Sequence, residues 1–402
     1  MFSFENIGAL EKAAVPTSHS CKCGGNRELH LINTDVIIDS KFIEVVDCPV
    51  LICNKCGAQR LGDLMYQCLF DTYEDMVEQN YSKCRTVTRN TKKFSYCEAD
   101  GYIYDNRDLN VPAVQYDMEH SKPGFFCPVY FDRKVLFNFF HDDDYTLNLF
   151  SETYGFIGKK GTSGYEWDWI IDFGINTNNK VVIWLGDLED IDERAKFWFK
   201  SYNIESDHKV VESEFFMGQF MNNFSKPIVE KRILKLRDSF YKKMQAKYNV
   251  NLFHLEDEVE AKGEKLSKPI KYSEDEISRN IVSLDGLLNE GIDCDELRKI
   301  YEAVCGTPEK GYKDLKTRKL LERLIKTHNP KIDAQKVVAP LYYLNDLRVC
   351  FAHLISEAEV QKCHDRIVSA YSLRSFDDYK SLYEKLMMDI YYLYQYLNIE
   401  EI

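Results

Sequence analysis

Leu341-Tyr342-Tyr343-Leu344-Asn345-Asp346-Leu347-Arg348-Val349-Cys350-Phe351-Ala352-His353 sets an arginine and a histidine into a mostly apolar run, with four residues between them. The run predicts a helix over Leu341 to Ser356, with Pro340 at its N-terminal edge. An arginine can neutralise a phosphate, and a histidine can move a proton near neutral pH. Together they are sufficient for phosphodiester chemistry without a metal. Helical residues advance about 100° each, so Arg348 and His353 lie roughly 140° apart around the axis. Asp346 and His353 do share a face, but are separated by about 10 Å along the axis. Within one chain they do not touch. In an antiparallel pair of such helices, Asp346 of one approaches His353 of the other, which favours a site built across a two-fold axis.

The surroundings of this stretch are helical from Ser273 onward. Candidate helices are Ile277 to Asn289, Cys294 to Val304, Asp314 to His328, Leu341 to Ser356 and Phe376 to Leu397, a compact bundle. Ser273-Glu274-Asp275-Glu276 has the form of a capping box for the first of them. Lys310, Lys313, Lys316, Arg318, Lys319, Arg323 and Lys326 crowd the third, opposed only by Asp314 and Glu322. Its Leu315, Leu320, Leu321, Leu324 and Ile325 form a stripe to bury. Lys316, Arg318, Lys319 and Arg323 are the candidate substrate-binding residues, since a cluster of cations suits phosphates. An ordinary solvated helix face is the competing reading.

The Arg348–His353 spacing on a late helix of a C-terminal bundle resembles the Rx4–6H motif of the HEPN superfamily of helical nucleotide-binding proteins and ribonucleases. The resemblance covers about Ser273 to Ile402. It implies a dimeric, metal-independent endoribonuclease in which Arg348 stabilises the phosphorane and His353 moves the 2′-hydroxyl or leaving-group proton. Asn345 would position the phosphate and Asp346 would orient the histidine. The residue after the arginine, commonly asparagine in the family, is Val349 here. Relatives often act in toxin and abortive-infection antiviral systems, where a variable N-terminal sensor precedes the helical effector. The implied partners are RNA (with tRNA a candidate), a second copy of the chain, and a trigger or inhibitor protein. The alternative is an inactive HEPN-like bundle that dimerises while the N-terminal half recruits a partner.

N-terminal to the bundle, residues 226–272 are expected to be a connector. Ile228, Ile233, Leu236, Phe240 and Met244 mark an amphipathic basic helix, and Glu256 to Glu276 a charged linker with Gly263 and Pro269. Residues 81–225 read as a β-rich α+β domain, a candidate sensor. Strand-like runs occur at Phe125 to Tyr130, Tyr165 to Phe173 and Lys180 to Gly186, with turns at Gly161-Thr162-Ser163-Gly164 and Asn178-Asn179. Three acidic groups there invite a metal-nuclease reading: His141-Asp142-Asp143-Asp144; Asp168 and Asp172 near Glu166; and Asp187, Glu189, Asp190 and Asp192. Solvated turns and the polar side of a strand explain them more simply. Gly155 to Gly164 lacks phosphate-loop spacing.

Residues 1–80 carry Cys21-Lys22-Cys23-Gly24-Gly25 and Cys53-Asn54-Lys55-Cys56-Gly57. Two glycine-ended knuckles flank Val36-Ile37-Ile38 and Phe42 to Val46, two expected strands, and Leu61 to Asn80 is expected to be helical. The arrangement resembles a zinc ribbon, with Cys21, Cys23, Cys53 and Cys56 as ligands and His19 and Cys48 as nearby substitutes. Four protein ligands leave no position for water, so the zinc is expected to be structural and catalysis to need no cofactor. The fold class is therefore multidomain α+β: N-terminal zinc ribbon, β-rich middle domain, and all-α HEPN-like bundle over residues 273–402.

Composition bounds the rest. The 402 residues are 45% hydrophobic with a net charge of −13, so nucleic-acid contact must rest on a local basic patch. Thirteen cysteines, no basic n-region in Met1 to Leu10 and no apolar run of roughly 18 residues lead us to expect a cytoplasmic, reduced, non-membrane protein.

Overall fold

The computed structural model describes residues 1–15, 18–90, 93–94, 101–114, 122–161, 166–223, 225–254, 263, 266–306 and 308–399. The chain is mixed α+β. It divides into two compact units, Met1–Lys226 and Pro227–Ile402. The regions expected as 1–80 and 81–225 thus fall in one unit.

Unit 1 contains two sheets. In the first, β1 (Phe2–Phe4) runs parallel to β2 (Arg27–Ile38), and β2 pairs antiparallel with β3 (Lys41–Cys53). The expected short strands are the distal ends of this long hairpin. Asp39 and Ser40 close it with φ of 44° and 62°, the left-handed pair that matches the twist of a two-residue turn. β4 (Gln59–Leu61) and β5 (Lys83–Val87) both pair with β3. Alternate residues Ile43 and Val45 of β3 point inward, where Val36, Leu61, and Met65 and Leu69 of helix α2 (Met65–Glu78) bury with them. The short α1 (Ile7–Ala13) adds Leu10.

The second sheet is antiparallel throughout, in the order β11 (Asn203–Ile204), β6 (Pro128–Asp132), β10 (Lys180–Trp184), β9 (Trp167–Ile175), β8 (Tyr154–Lys160), β7 (Tyr145–Leu149). Asn176 fixes the β9–β10 turn by accepting from the Asn178 and Lys180 N–H groups, and Asn179 takes φ 61°. Of the other expected turn, residues 162–164 lie outside the described residues. Helices α3 (Val135–His141), α4 (Glu193–Tyr202) and α5 (Glu214–Met221) pack aromatics onto this sheet. Trp184 stacks on Phe215 at 4.6 Å, and Phe131 meets Phe199 at 4.9 Å. A Cβ on Gly174 would lie 2.4 Å from that of Phe215, so the strand needs glycine there for α5 to approach.

Unit 2 is helical in its described residues: α6 (Val229–Tyr248), α7 (Glu274–Asp285), α8 (Cys294–Cys305), α9 (Thr317–His328), α10 (Ala334–Ala352), α11 (Glu357–Tyr371) and α12 (Tyr379–Ile399). The expected connector helix is part of the bundle. Ile233, Leu234, Phe240, Tyr241 and Met244 of α6 join one core with Leu284, Leu324, Leu344 and Leu386. Of the expected linker, residues 256–262 and 264–265 lie outside the described residues. Ser273 caps α7 as expected, but Glu276 reaches past the cap to the N–H groups of Ile270 and Lys271. The full capping box is at Ser356 and Glu359, opening α11. That helix shows only Val360, Cys363, Ile367 and Tyr371 as an apolar stripe between charges. The helix bearing the opening stretch starts earlier than Leu341 and holds Pro340 in its interior. Asp333 caps it by accepting from the Lys336 N–H, and Pro340 forgoes only the bond to the carbonyl four residues before it.

Candidate functional sites

The two cysteine knuckles meet because β2 and β3 are in register, with Arg27 opposite Cys53 at the open end of the hairpin. Each knuckle is a tight turn. Gly24 donates to the Cys21 carbonyl at 2.9 Å and Gly57 to that of Cys53 at 3.0 Å, with φ of 78° and 70°. The four sulfurs lie within 4.8 Å of one another, with Cys21–Cys56 at 3.7 Å and Cys23–Cys53 at 3.5 Å. A tetrahedral ion with metal–sulfur bonds of about 2.3 Å sets its sulfurs about 3.8 Å apart, so the donor set fits zinc. The thiols compete for charge. The Cys56 and Lys55 backbone N–H groups draw Cys53 below the usual thiol range. The Ala58 N–H favours the Cys56 thiolate, but the neighbouring sulfurs outweigh it and push Cys56 up. A dication resolves that repulsion. The two substitutes stand apart. His19 is buried edge-on to Phe216, and burial pushes the Cys48 thiol up to about 12.

In unit 2, Arg348 projects from α10 toward the end of α7. There the helix widens into a π turn over Gly286–Glu290. The Arg348 guanidinium lies 2.9 Å from Glu290 and 3.6 Å from Asp285, and its side chain remains 28% exposed. Asp285 is 1% exposed and takes a 2.5 Å hydrogen bond from Asn289, which also donates to the Leu341 carbonyl of α10. Burial pushes the Asp285 carboxyl up, while Asn289 and Arg348 pull it back. Arg318 of α9, lying 5.0 Å over the Tyr342 ring, adds a second nearby cation. Sequence reasoning missed the carboxylates. Five residues apart on a regular helix, Asp285 and Glu290 would diverge by roughly 140°, and the π turn brings them to one side.

His353 does not join Arg348. The helix stops at Ala352, because Ser356 begins the cap of α11, and His353 is the exposed, extended C-cap residue. Asp346 forms an ion pair with Arg366 of α11, and Asn345 is half-buried on α10. On the basic helix, Leu320, Leu321, Leu324 and Ile325 are buried as expected, whereas Leu315 lies before the helix and is only half-buried. Lys319 pairs with Glu322 at 2.7 Å and Arg323 with Glu309 at 3.1 Å, while Lys316 is exposed at the N-cap, with Lys313 and Lys326 also exposed.

Several acidic residues of unit 1 have structural partners. Asp142 and Asp144 clamp Arg194, at 2.6 and 2.8 Å. Asp192 caps α4 and accepts from Tyr145 and Trp169. Asp168 and Asp172 are about 13 Å apart along β9, too far for one ion. Asp172 instead accepts from Tyr154 and Gln219. Burial, then the charge of Asp172, raises Asp187 to about 7. Also missed was a pair 100 positions apart. Asp108, fully buried, lies 2.7 Å from Nδ1 of His208, and Ser206 donates to its other oxygen at 2.8 Å. Burial opposes protonation of His208, but Asp108 overcomes it and raises the imidazole.

Among the described residues no helix is long and apolar enough to cross a membrane. Comparisons of the chain with protein-family models, with curated proteins and with solved structures returned no match.

Proposed function

We propose that unit 2 is a HEPN-like effector that cleaves RNA without a metal, and that unit 1 carries a structural zinc-ribbon element and restrains or triggers it. The observation that carries this reading is the state of the two motif residues. Arg348 is held by a π turn with its side chain partly exposed, and His353 is exposed where α10 ends. One chain supplies them as separated halves, so the working site needs a second chain, related by a two-fold axis. There His353 takes the 2′-hydroxyl proton or returns one to the leaving 5′-oxygen, and Arg348 stabilises the phosphorane. Asn345 and Asp346 assist in positioning. The exposed lysines 313, 316 and 326 offer the backbone-tracking charge. Products end in a 2′,3′-cyclic phosphate, and DNA, lacking the nucleophile, is spared.

A second reading is favoured by the pairing of Arg348 with Asp285 and Glu290. In it the arginine is a structural strut and the bundle is an inactive dimerisation module. Incubating the full chain with tRNA and total RNA, with and without EDTA, beside Arg348→Ala and His353→Ala, separates the readings. Metal-independent cleavage lost in both variants supports the nuclease. RNA left intact by every protein, with Arg348→Ala lowering Tm, supports the strut.

A further inference from the structure

Away from Arg348, helices α10, α11 and α12 line an open cavity of about 530 Å³ that the proposed chemistry does not use. Tyr343, Tyr371, Tyr392 and Tyr396 line it, with Asp389 and Lys336 at its edges. Tyr371 belongs to the core of unit 2, and Tyr343 and Tyr396 pack against that core. Here Tyr392 is 55% exposed, so its ring is not serving the core. Tyr343 and Tyr371 meet edge to face at 5.6 Å. Tyr371 is 7% exposed, and its hydroxyl sits beside Asp389 without a hydrogen bond of normal geometry. Asp389 and Lys336 are both exposed, and the contact of Lys336 with Asp333 is 3.7 Å and solvent-screened.

The charges select the ligand. A simple cation is repelled by Lys336 and a simple anion by Asp389. An apolar face of a second protein chain would bury both charges, which interface centres avoid. A nucleotide satisfies every group: a base stacks on tyrosine, a phosphate meets the lysine, and the carboxylate accepts from the base edge. Guanine alone among the four RNA bases offers two adjacent donors, N1–H and the N2 amino group, to one carboxylate. A cavity of this size holds one nucleotide.

We propose that this cavity is a subsite for a single unstacked guanine nucleotide of a bound RNA strand, stacked by Tyr343 and Tyr392, read by Asp389 and held at its phosphate by Lys336. The assignment rests on the RNA reading of unit 2 and names the base it selects. Titration calorimetry and saturation-transfer NMR on the full chain, with GMP, AMP, CMP, UMP and guanosine, test it. GMP is expected to bind about tenfold more tightly than the other nucleotides. Asp389→Asn removes that preference, Tyr343→Ala weakens all nucleotides, and Lys336→Ala weakens GMP but not guanosine. Equal binding of the four nucleotides, no binding, or indifference to Asp389→Asn overturns the assignment. So does a dimer that Tyr392→Glu converts to monomer with no change in GMP affinity. The measurement needs no cleavage. Guanine-selective binding by a wild-type chain that cleaves no RNA would sink the catalytic reading and leave this one standing, whereas RNA cleavage without GMP binding would do the reverse.

Discussion

The cysteine cluster of unit 1 and the arginine–histidine motif of unit 2 invert the relation between sequence distance and spatial distance. Cys23 and Cys53 are thirty positions apart, yet their sulfurs lie at 3.5 Å, because a registered hairpin folds one knuckle onto the other. Arg348 and His353 are five positions apart and stay separate, because helical rotation turns them away from each other and the helix ends before the histidine. The four sulfurs gather within one chain. The proposed Arg348–His353 site would have to borrow from a second chain.

The largest effect that can break this contrast is loss of the metal. Cys53→Ser should lower bound zinc from about one per chain to near zero, by metal analysis of protein purified without added metal. It should also lower the melting temperature of unit 1. Zinc retained at the wild-type level would show that the four sulfurs are not its ligands.

In unit 2 the corresponding anchor is Asp285. Asp285→Ala leaves Arg348 with only the exposed Glu290 and opens a gap under the π turn. Breaking such a pair should cost about 3 kcal/mol, read as a lower denaturation midpoint with unchanged slope. A midpoint equal to wild type would remove the buried carboxylate from the account of how Arg348 is held.

A smaller, pH-dependent effect separates the units further. The folded-state pKa of Asp187, about 7, lies above its unfolded value. The protonated form therefore supports the fold below about pH 4, and this support is lost as pH rises toward 7. Asp187→Asn does not titrate, so its advantage should grow across that window and level off above pH 7. An advantage independent of pH would place the cause elsewhere than in its ionisation.

How much of this was legible in the sequence follows from the range of the interactions. The cysteine cluster could be read because each knuckle is local and its glycines announce the turn. The strands at 128–132, 167–175 and 180–184 showed as apolar runs bounded by Asn and Gly. α11 was hidden by its charges. The π turn was hidden because its geometry breaks the period by which helices are read. Asp108–His208 was hidden because no local pattern joins residues 108 and 208. The start of the bundle was read at 273 rather than near 227 because the basic face of α6 suggested a solvated connector, whereas Phe240, Tyr241 and Met244 make it a core helix.

The central claim, that Arg348 and His353 act together only across two chains, has a direct test. Arg348→Ala and His353→Ala proteins, each inactive alone, are mixed, unfolded and refolded together, and assayed on tRNA. Half of the dimers then pair one chain of each kind, and each such dimer contains one site with both side chains intact. The mixture should recover about a quarter of wild-type cleavage. A mixture as inactive as its components, or either variant cleaving at the wild-type rate alone, would contradict the account.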